Sequence, residues 1–400
     1  MSSDLIFGHC HSRFQPVADR FAKSITSGYE VGATLAVEYQ GEMMINLWGG
    51  HQNAAKTRIW QEDTLVNTFS VTKGVVAACV ARLIEQNRLD IHQRVAYYWP
   101  DYGCHGKEQT RVLDLLCHRA GMFGFREPVA LDQWADGSYV SDRLARQRPF
   151  RTPGSGQSYH ALTFGWLVGE LIRRVDGRSV GVYFREEIAQ PLALDFHIGL
   201  AKADLARCAD QLMSKNQKLL EYLPWLKKVP DTLLPKQGRM IKAAVNAGDY
   251  KVAFQQIADD DATFNTDSWR RAEIPAANGH GTAASLAKLY GVLSHTGSRN
   301  HYHLLSPQTV TQATQIYSNG PDVALFGLPF KFGLGYMVDS PSTPISSVKK
   351  RFGHSGIGGG MAFGDHKNGL GFAFLNNQQH GAMTLFKTAN QLAKTLYILL

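Results

Sequence analysis

Apolar residues recur at helical spacing from residue 11 to 28, where Phe14, Val17, Phe21 and Ile25 share one face, and this predicts an amphipathic helix. Alternation then takes over. Ala33, Leu35, Val37 and Tyr39 alternate, Gln40-Gly41 makes a turn, and Met43, Ile45 and Leu47 resume. That pattern predicts a β-hairpin from Gly32 to Leu47, closed by Trp48-Gly49-Gly50. From about Leu65 to Ala201 the periodicity is mostly helical, in segments 74–86, 111–118, 161–175 and 181–189. Gly121, Pro149, Pro153-Gly154 and Pro191 interrupt it. Residues 202–262, rich in Lys and Gln, predict polar amphipathic helices forming a peripheral insertion or lid. Ala277–Gly281 reads as a loop leading into a helix over 283–294. The last third returns to strands. One is predicted over Phe332–Val338, and a second hairpin joins 360–365 to 371–376 around Lys367-Asn368-Gly369, a strong turn signal. A final helix is predicted over 382–400.

Strands at both ends of a chain with helices between them imply one antiparallel sheet built from distant termini. The predicted class is α+β. An α/β sandwich domain would take residues 1–65 and 283–400, and a mostly helical domain would take 66–282, with the lid-like insertion at about 202–262. A chain of 400 residues is long enough for two or three such units. There is no internal repeat and no low-complexity tract.

Composition narrows the class. With 44% apolar and 19% charged residues the chain can bury a large core, which excludes a disordered protein. No apolar run approaches the ~20 residues needed to span a bilayer, so no membrane association is expected. The start, Met1-Ser-Ser-Asp-Leu-Ile-Phe, lacks a basic segment followed by an apolar one, and so reads as having no secretory signal. Five cysteines without regular spacing argue against a disulfide framework or a zinc knuckle and for a reducing cytoplasm. The net charge of +8 comes from scattered residues and short groups such as Lys349-Lys350-Arg351, too small for a nucleic-acid stripe. Nothing in the sequence specifies an oligomeric state.

Three segments have the residue types for covalent catalysis. In Phe69-Ser70-Val71-Thr72-Lys73-Gly74, Ser70 and Lys73 stand one helical turn apart on one face. The alternative for Ser70 is a helix N-cap. The S-x-x-K spacing also occurs at Ser285/Lys288, Ser346/Lys349 and Ser347/Lys350, on a polar helix or in a Ser/Lys-rich loop. Only Lys73 sits in an apolar run, as the sole charge between Leu65 and Ala81. A helix apolar on every face is a buried one, and a buried lysine loses its proton easily. The second segment is Ser158-Tyr159-His160-Ala161, between a Gly-rich loop and an apolar helix. Beside a lysine the phenolic pKa of Tyr159 should fall, so that it takes a proton from a serine; otherwise Tyr159 is a packed core residue. The third is Gly353-His354-Ser355-Gly356-Ile357-Gly-Gly-Gly360. Small residues let this backbone approach a ligand and offer N–H groups to a carbonyl; the plain alternative is a glycine-rich strand and turn.

In this order and spacing the three segments resemble the serine β-lactamase and penicillin-recognising fold, and most of all the class C-like esterases called family VIII carboxylesterases. The resembling motifs are S-x-x-K at 70–73, the tyrosine motif at 159–161 and a K/H-[TS]-G triplet at 354–356. Leu47-Trp48-Gly49-Gly50, Leu113–Gly121, Tyr159–Trp166 and Asn278-Gly-His-Gly-Thr282 extend the likeness over nearly the whole chain except 202–262. The resemblance implies Ser70 as nucleophile, Lys73 as the lysine that assists its deprotonation, and Tyr159 as base in acylation and activator of water in deacylation. It implies an oxyanion hole from the backbone N–H groups of Ser70 and Ile357, substrate contacts from His354, Ser355, Gly356 and His160, and no metal or cofactor.

Two departures set the expected substrate. Ala161 stands where class C enzymes usually have Asn, which removes a polar contact to a β-lactam side chain. His354 stands where they have Lys, and a neutral imidazole gives no fixed cation for a substrate carboxylate. Both point to neutral short-chain carboxylic esters. The other readings are a β-lactamase, a D-amino-acid peptidase or an acyltransferase of the same fold, and, from a different class, a non-catalytic ligand-binding or scaffold member. Among the remaining histidines, His9 and His11 flank Cys10 in an expectedly flexible N-terminus, His118 reads as structural, and His280 as a possible cleft residue. The aspartates at 259–261 read as a solvated run.

Overall fold

The computed structural model describes residues 5–213, 223–254, 261–299, 301–339, 351–381 and 385–400. Strands β1 (Ile6–Cys10), β2 (Gly32–Tyr39) and β3 (Glu42–Gly50) lie near the N-terminus; β4 (Val66–Asn67), β5 (Phe196–Ile198) and β6 (Gly279–Gly281) are short pieces further along. After the ribbon of β7 (Ser298–Arg299) and β8 (Tyr302–His303) come β9 (Ser318–Asp322), β10 (Leu328–Phe332), β11 (Met337–Val338), β12 (Arg351–Ser355), β13 (Met361–Asp365) and β14 (Leu370–Asn376). Nine of these form one antiparallel sheet in the order β1-β3-β2-β14-β13-β12-β11-β10-β9. The two ends of the chain meet where β2 pairs with β14, from Ala33 opposite Asn376 to Tyr39 opposite Leu370.

Both faces of the sheet centre are covered. Helix α1 (Gln15–Thr26) packs on β2 and β3, with the C-terminal helix α5 (Lys387–Leu399) against it. Helix α4 (Ala283–Ser294) covers β2, β13 and β14. The odd-numbered positions of β2, which carry the alternation seen in the sequence, therefore face α1, while Thr34, Ala36 and Glu38 are buried under α4. Glu38 is fully buried there and accepts a hydrogen bond from Arg299 Nη1 at 2.6 Å. Between the two ends of the sheet runs a helical body. At its centre lies α2 (Thr72–Glu85), buried from Thr72 to Ala81 on every face, beside α3 (Thr163–Asp176).

Several elements depart from the sequence expectation, each through a tertiary contact. The 277–281 loop is instead a strand at its end. Gly279–Gly281 sits between β4 and β5 and pairs with both, too short to leave a periodic trace. The single strand expected over Phe332–Val338 is two. Gly335 has φ +85° and turns the chain inward, so that Leu334 N–H bonds Ala313 O at 2.8 Å and Gly335 N–H bonds Leu116 O at 3.0 Å. His9 and Cys10 lie in edge strand β1, held by β3, rather than in a flexible tail. Among the described residues no His, Cys, Asp or Glu cluster could hold a metal, and no helix is long and apolar enough to cross a membrane. The insertion contains short helical turns at Lys202–Arg207 and Leu223–Lys228 and helices at Lys236–Ala247 and Asp249–Phe254. The Ser346/Lys349 and Ser347/Lys350 pairs and the side chains of the 259–261 aspartates lie outside the described residues.

Removing Arg299 leaves the Glu38 carboxylate buried without its partner, at a cost of about 3 kcal/mol. Burial already pushes the Glu38 carboxyl upward and Arg299 pulls it back. A raised carboxyl binds its proton more tightly in the folded state, so acid relieves the penalty. Urea unfolding of Arg299→Ala is therefore expected to show a larger loss at pH 8 than at pH 5.

Candidate active site

β4 ends at Asn67, a single 3₁₀ turn follows over Phe69–Val71, and α2 begins at Thr72. Phe69, the residue before Ser70, has φ +47°, a left-handed conformation that costs a non-glycine residue energy. The surroundings enforce it. Thr68 donates from N–H and Oγ1 to Gly279 O at 2.8 and 3.0 Å, and Thr72 Oγ1 donates to Phe69 O at 2.6 Å while accepting Gly279 N–H at 2.9 Å. Strand β6 thus clamps the turn from outside. Ser70 is left half-exposed in the first turn, where a backbone N–H has no acceptor within the helix.

Lys73 is fully buried, as the apolar run around it implies. Its Nζ lies 3.2 Å from Ser70 Oγ, 2.7 Å from Ala161 O and 2.9 Å from Ala276 O. None of these partners is an anion. Desolvation therefore pushes the amine well below its usual range. A neutral amine has two N–H donors and one lone pair. Once the proton is lost, the two carbonyls keep the two remaining N–H donors, which would leave the lone pair for the Ser70 hydroxyl.

Tyr159 stands on the other side, its ring centroid 5.0 Å from Lys73 Nζ. The sequence expectation that Lys73 would lower the phenol is overturned. Burial pushes Tyr159 up, with Asp322 adding to the rise, and a hydrogen bond with Ser70 pulls the other way. A lysine that is itself driven toward neutrality has little charge with which to stabilise a phenolate.

The residues that place Tyr159 were mostly invisible in the sequence. Asp322, at the end of β9 and fully buried, accepts Tyr159 N–H at 2.9 Å, Ala324 N–H at 3.0 Å and Leu325 N–H at 3.1 Å through one oxygen. Gln157 ties the same loop to the sheet through Gly320 O and Phe330 O at 3.1 and 3.2 Å. Nothing about a Gly-Pro-Asp stretch 163 positions away marks it as a partner of Tyr159. Its location is a product of the sheet order.

The expected substrate contacts fall differently. His160 is fully buried; its Nε2 accepts Met122 N–H at 3.1 Å, and its own N–H bonds His118 Nδ1 at 3.2 Å. The pair supports the Tyr159 turn from behind, with the His118 ring 4.8 Å from that of Tyr159. His354 is also fully buried, its Nδ1 bonded to Ser355 O at 2.7 Å, and burial holds it down at about 3. It is therefore neutral, as expected, but packed 6.0 Å from the Tyr159 ring rather than facing solvent. Ser355 is buried at the end of β12, its hydroxyl directed at Met337 Sδ. His280 is buried in β6 and bonds Asn278 O at 2.8 Å; it is not among the residues lining the pocket at Ser70. Ser285 and Lys288 brace α4 instead of lying on a solvated face. Ser285 Oγ accepts Asp195 N–H at 2.7 Å, and Lys288 Nζ reaches Leu192 O and Ala193 O.

Gly356 has a steric reason to be glycine. A Cβ there would lie 2.5 Å from Thr68 O, so the end of β12 rests directly on the Ser70 turn. The next residue, Ile357, is exposed, and among the described residues its N–H has no protein acceptor. Ser70 and Ile357 line the same pocket of about 450 Å³, including its open mouth. Leu131, Trp134, Phe254, Phe264 and Trp269 also line it, and among the described residues no charged side chain does. Phe254 comes from the insertion; Trp134 and Leu131 lie in a short turn over Leu131–Ala135 that no periodicity announces.

A family model described as Beta-lactamase matches residues 17–396. The chain is 32% identical over 376 residues to the esterase/beta-lactamase LipL of Mycobacterium tuberculosis, covering 93% of this chain and 83% of that protein. Among solved structures it is similar to a family VIII carboxylesterase, with a TM-score of 0.87 at 32% identity over 99% of this chain and 100% of the other. It is also similar to a penicillin-binding protein homolog from Caulobacter crescentus, with a TM-score of 0.84 at 33% identity over 99% and 100% of the two chains.

Asp322 supplies the test of this geometry. Burial raises its carboxyl from 3.8 to about 6, so the folded state gains from its protonation and loses that gain as pH rises from about 4 to about 6. Asp322→Asn keeps an acceptor for the three N–H groups and has no proton to lose. Thermal melts are expected to show a smaller decline over that pH range for Asp322→Asn than for the wild type. Asp322→Ala, which leaves the Tyr159 N–H without its acceptor, is expected to lower ester turnover at least about tenfold.

Proposed function

The chain belongs to the β-lactamase family, and on that premise we propose that it hydrolyses short-chain carboxylic esters through an acyl-enzyme. The observation that carries this reading is the buried Lys73 amine, with two carbonyls on its donors and Ser70 Oγ 3.2 Å away. Ser70 Oγ attacks the ester carbonyl carbon while its proton passes to the Lys73 lone pair. The negative charge that develops on the carbonyl oxygen is met by the N–H groups of Ser70 and Ile357, each such donor worth ~2.7–4 kcal/mol. The C–O bond then breaks. The departing alkoxide takes a proton from the Tyr159 hydroxyl, which is refilled from the Lys73 ammonium. A water repeats the sequence on the acyl-enzyme, its proton leaving through the same groups, and the carboxylic acid and free Ser70 result. In this reading Tyr159 is a neutral proton carrier rather than a resident phenolate, which agrees with its raised pKa.

The pocket favours a neutral substrate. Its aromatic and aliphatic lining suits a small apolar acyl group, and among the described residues it offers no cation to a carboxylate. His354, buried and neutral, does not replace the cation that an anionic β-lactam would need. No cofactor enters the mechanism. All five cysteines are free, which supports a reducing compartment, the cytoplasm, as its setting.

Hydrolysis of p-nitrophenyl butyrate is expected for the wild type and absent in Ser70→Ala, with an unchanged melting temperature; retained turnover in that variant would refute the nucleophile. Tyr159→Phe should lose at least ~10²-fold in kcat, and a mild loss would leave Lys73 to move both protons alone. Because burial holds Lys73 well below 10.5, kcat/KM should rise with pH and level off well before pH 10.5. A rise continuing to that pH would exclude a neutral Lys73 as the base.

A further inference from the structure

The Ile357 N–H belongs to a tight turn, Gly356–Gly360, at the end of β12. The turn closes on itself: Gly356 N–H bonds Gly360 O at 2.8 Å, and Gly359 N–H bonds Gly356 O at 3.2 Å. Gly358 and Gly359 both have left-handed φ values, +99° and +119°. Three glycines in a row have no intrinsic preference for this shape, so something outside the turn must select it. The Gly358 carbonyl is gripped from two sides, by Asn376 Nδ2 at 3.2 Å and His380 N–H at 3.3 Å.

Behind these two lies a carboxylate that the ester chemistry does not use. Glu30, between α1 and β2, has a fully buried side chain. Its Oε2 accepts Asn376 Nδ2 at 3.0 Å and His380 Nε2 at 3.0 Å, and its Oε1 accepts Thr388 Oγ1 at 2.6 Å. A carboxylate only accepts, so together with Gln378 O, which takes the same Nδ2 at 2.6 Å, it fixes the orientation of the Asn376 amide. Turned the other way, the amide would set its oxygen against both the carboxylate and the Gly358 carbonyl. The Tyr29 ring, stacked on His380 at 4.2 Å, holds the imidazole in place.

We propose that Glu30 is a positioning residue for the oxyanion hole: by holding Asn376 and His380 it locks the Gly358 carbonyl, and with it the direction of the Ile357 N–H. This rests on the acyl-enzyme reading, in which that N–H meets the developing negative charge. The contribution is to the transition state, so it appears in kcat rather than in substrate binding.

Four variants test it on p-nitrophenyl butyrate, with melting temperature recorded for each. Glu30→Ala is expected to lower kcat roughly ten- to a hundredfold with KM within about threefold, the scale of a small misplacement of a catalytic group. Glu30→Gln, which keeps an oxygen for Asn376, is expected to retain kcat within about threefold. Thr388→Val removes only the Oε1 partner and is expected to lower the melting temperature while leaving kcat within about twofold. Should Glu30→Ala fail to fold, Asn376→Ser is read in its place with the same expectation. A folded Glu30→Ala or Asn376→Ser with wild-type kcat overturns the proposal, as does an equal kcat loss in Thr388→Val. Ser70→Ala, run alongside, separates the failures. If it too turns over ester, the acyl-enzyme reading falls; if only the Glu30 and Asn376 variants do, the positioning role alone falls.

Discussion

A primary amine taken wholly out of water, with no anion to receive it, constrains everything around it. Lys73 is that amine. Its donors are met by Ala161 O and Ala276 O, carbonyls 88 and 203 residues further along the chain. Both must arrive within hydrogen-bonding distance, or an unsatisfied polar group is left in the core at a cost of ~1–3 kcal/mol. The Tyr159–Leu162 turn and the 274–278 turn are therefore placed by the same burial that lowers the Lys73 pKa, on which its proposed role as a base rests. Stability and chemistry share one set of contacts.

The neutral character of the site follows. Burial that lowers the Lys73 pKa weakens the force that would hold a phenolate or attract a carboxylate. His118, His160 and His354 surround the same spot and are all pushed toward neutrality by burial. In so dry a setting each hydrogen bond is strong and each misplaced one costly. That explains why Asp322, Gln157, His118 and His160 bond backbone groups rather than substrate: they hold Tyr159 and its loop still. In the proposed mechanism protons then move among Ser70, Lys73 and Tyr159, which the packing holds side by side.

The sheet is the frame for the other half of the site. Strand β12 lies between β11 and β13, and its C-terminal turn lies on the Ser70 turn without even a methyl group between them. Glu30 and Thr388, from the two ends of the sequence, meet behind that turn at 2.6 Å. The pairing of β2 with β14 is what brings them together, so sheet register and the geometry of the proposed oxyanion hole are coupled.

Local sequence determined the hairpins, most of the helices, the burial of Lys73 and the three segments that carry the proposed catalytic residues. Each depends on information within a few residues: a period, a turn signal, or one lysine in an apolar run. The order of those segments was enough to identify the fold that they resemble. Only the tertiary structure decided that Gly279–Gly281 is a strand, that Phe332–Val338 breaks in two, and that His160 and His354 support Tyr159 from behind instead of lining the pocket. It alone brought Asp322 to Tyr159, Glu30 to the Gly356–Gly360 turn, and the aromatic walls to Ser70. The reason is physical. Burial and hydrogen-bond partnership between distant segments are set by how the whole chain packs, and a residue such as Asp322 has no local pattern that records which backbone groups will reach it.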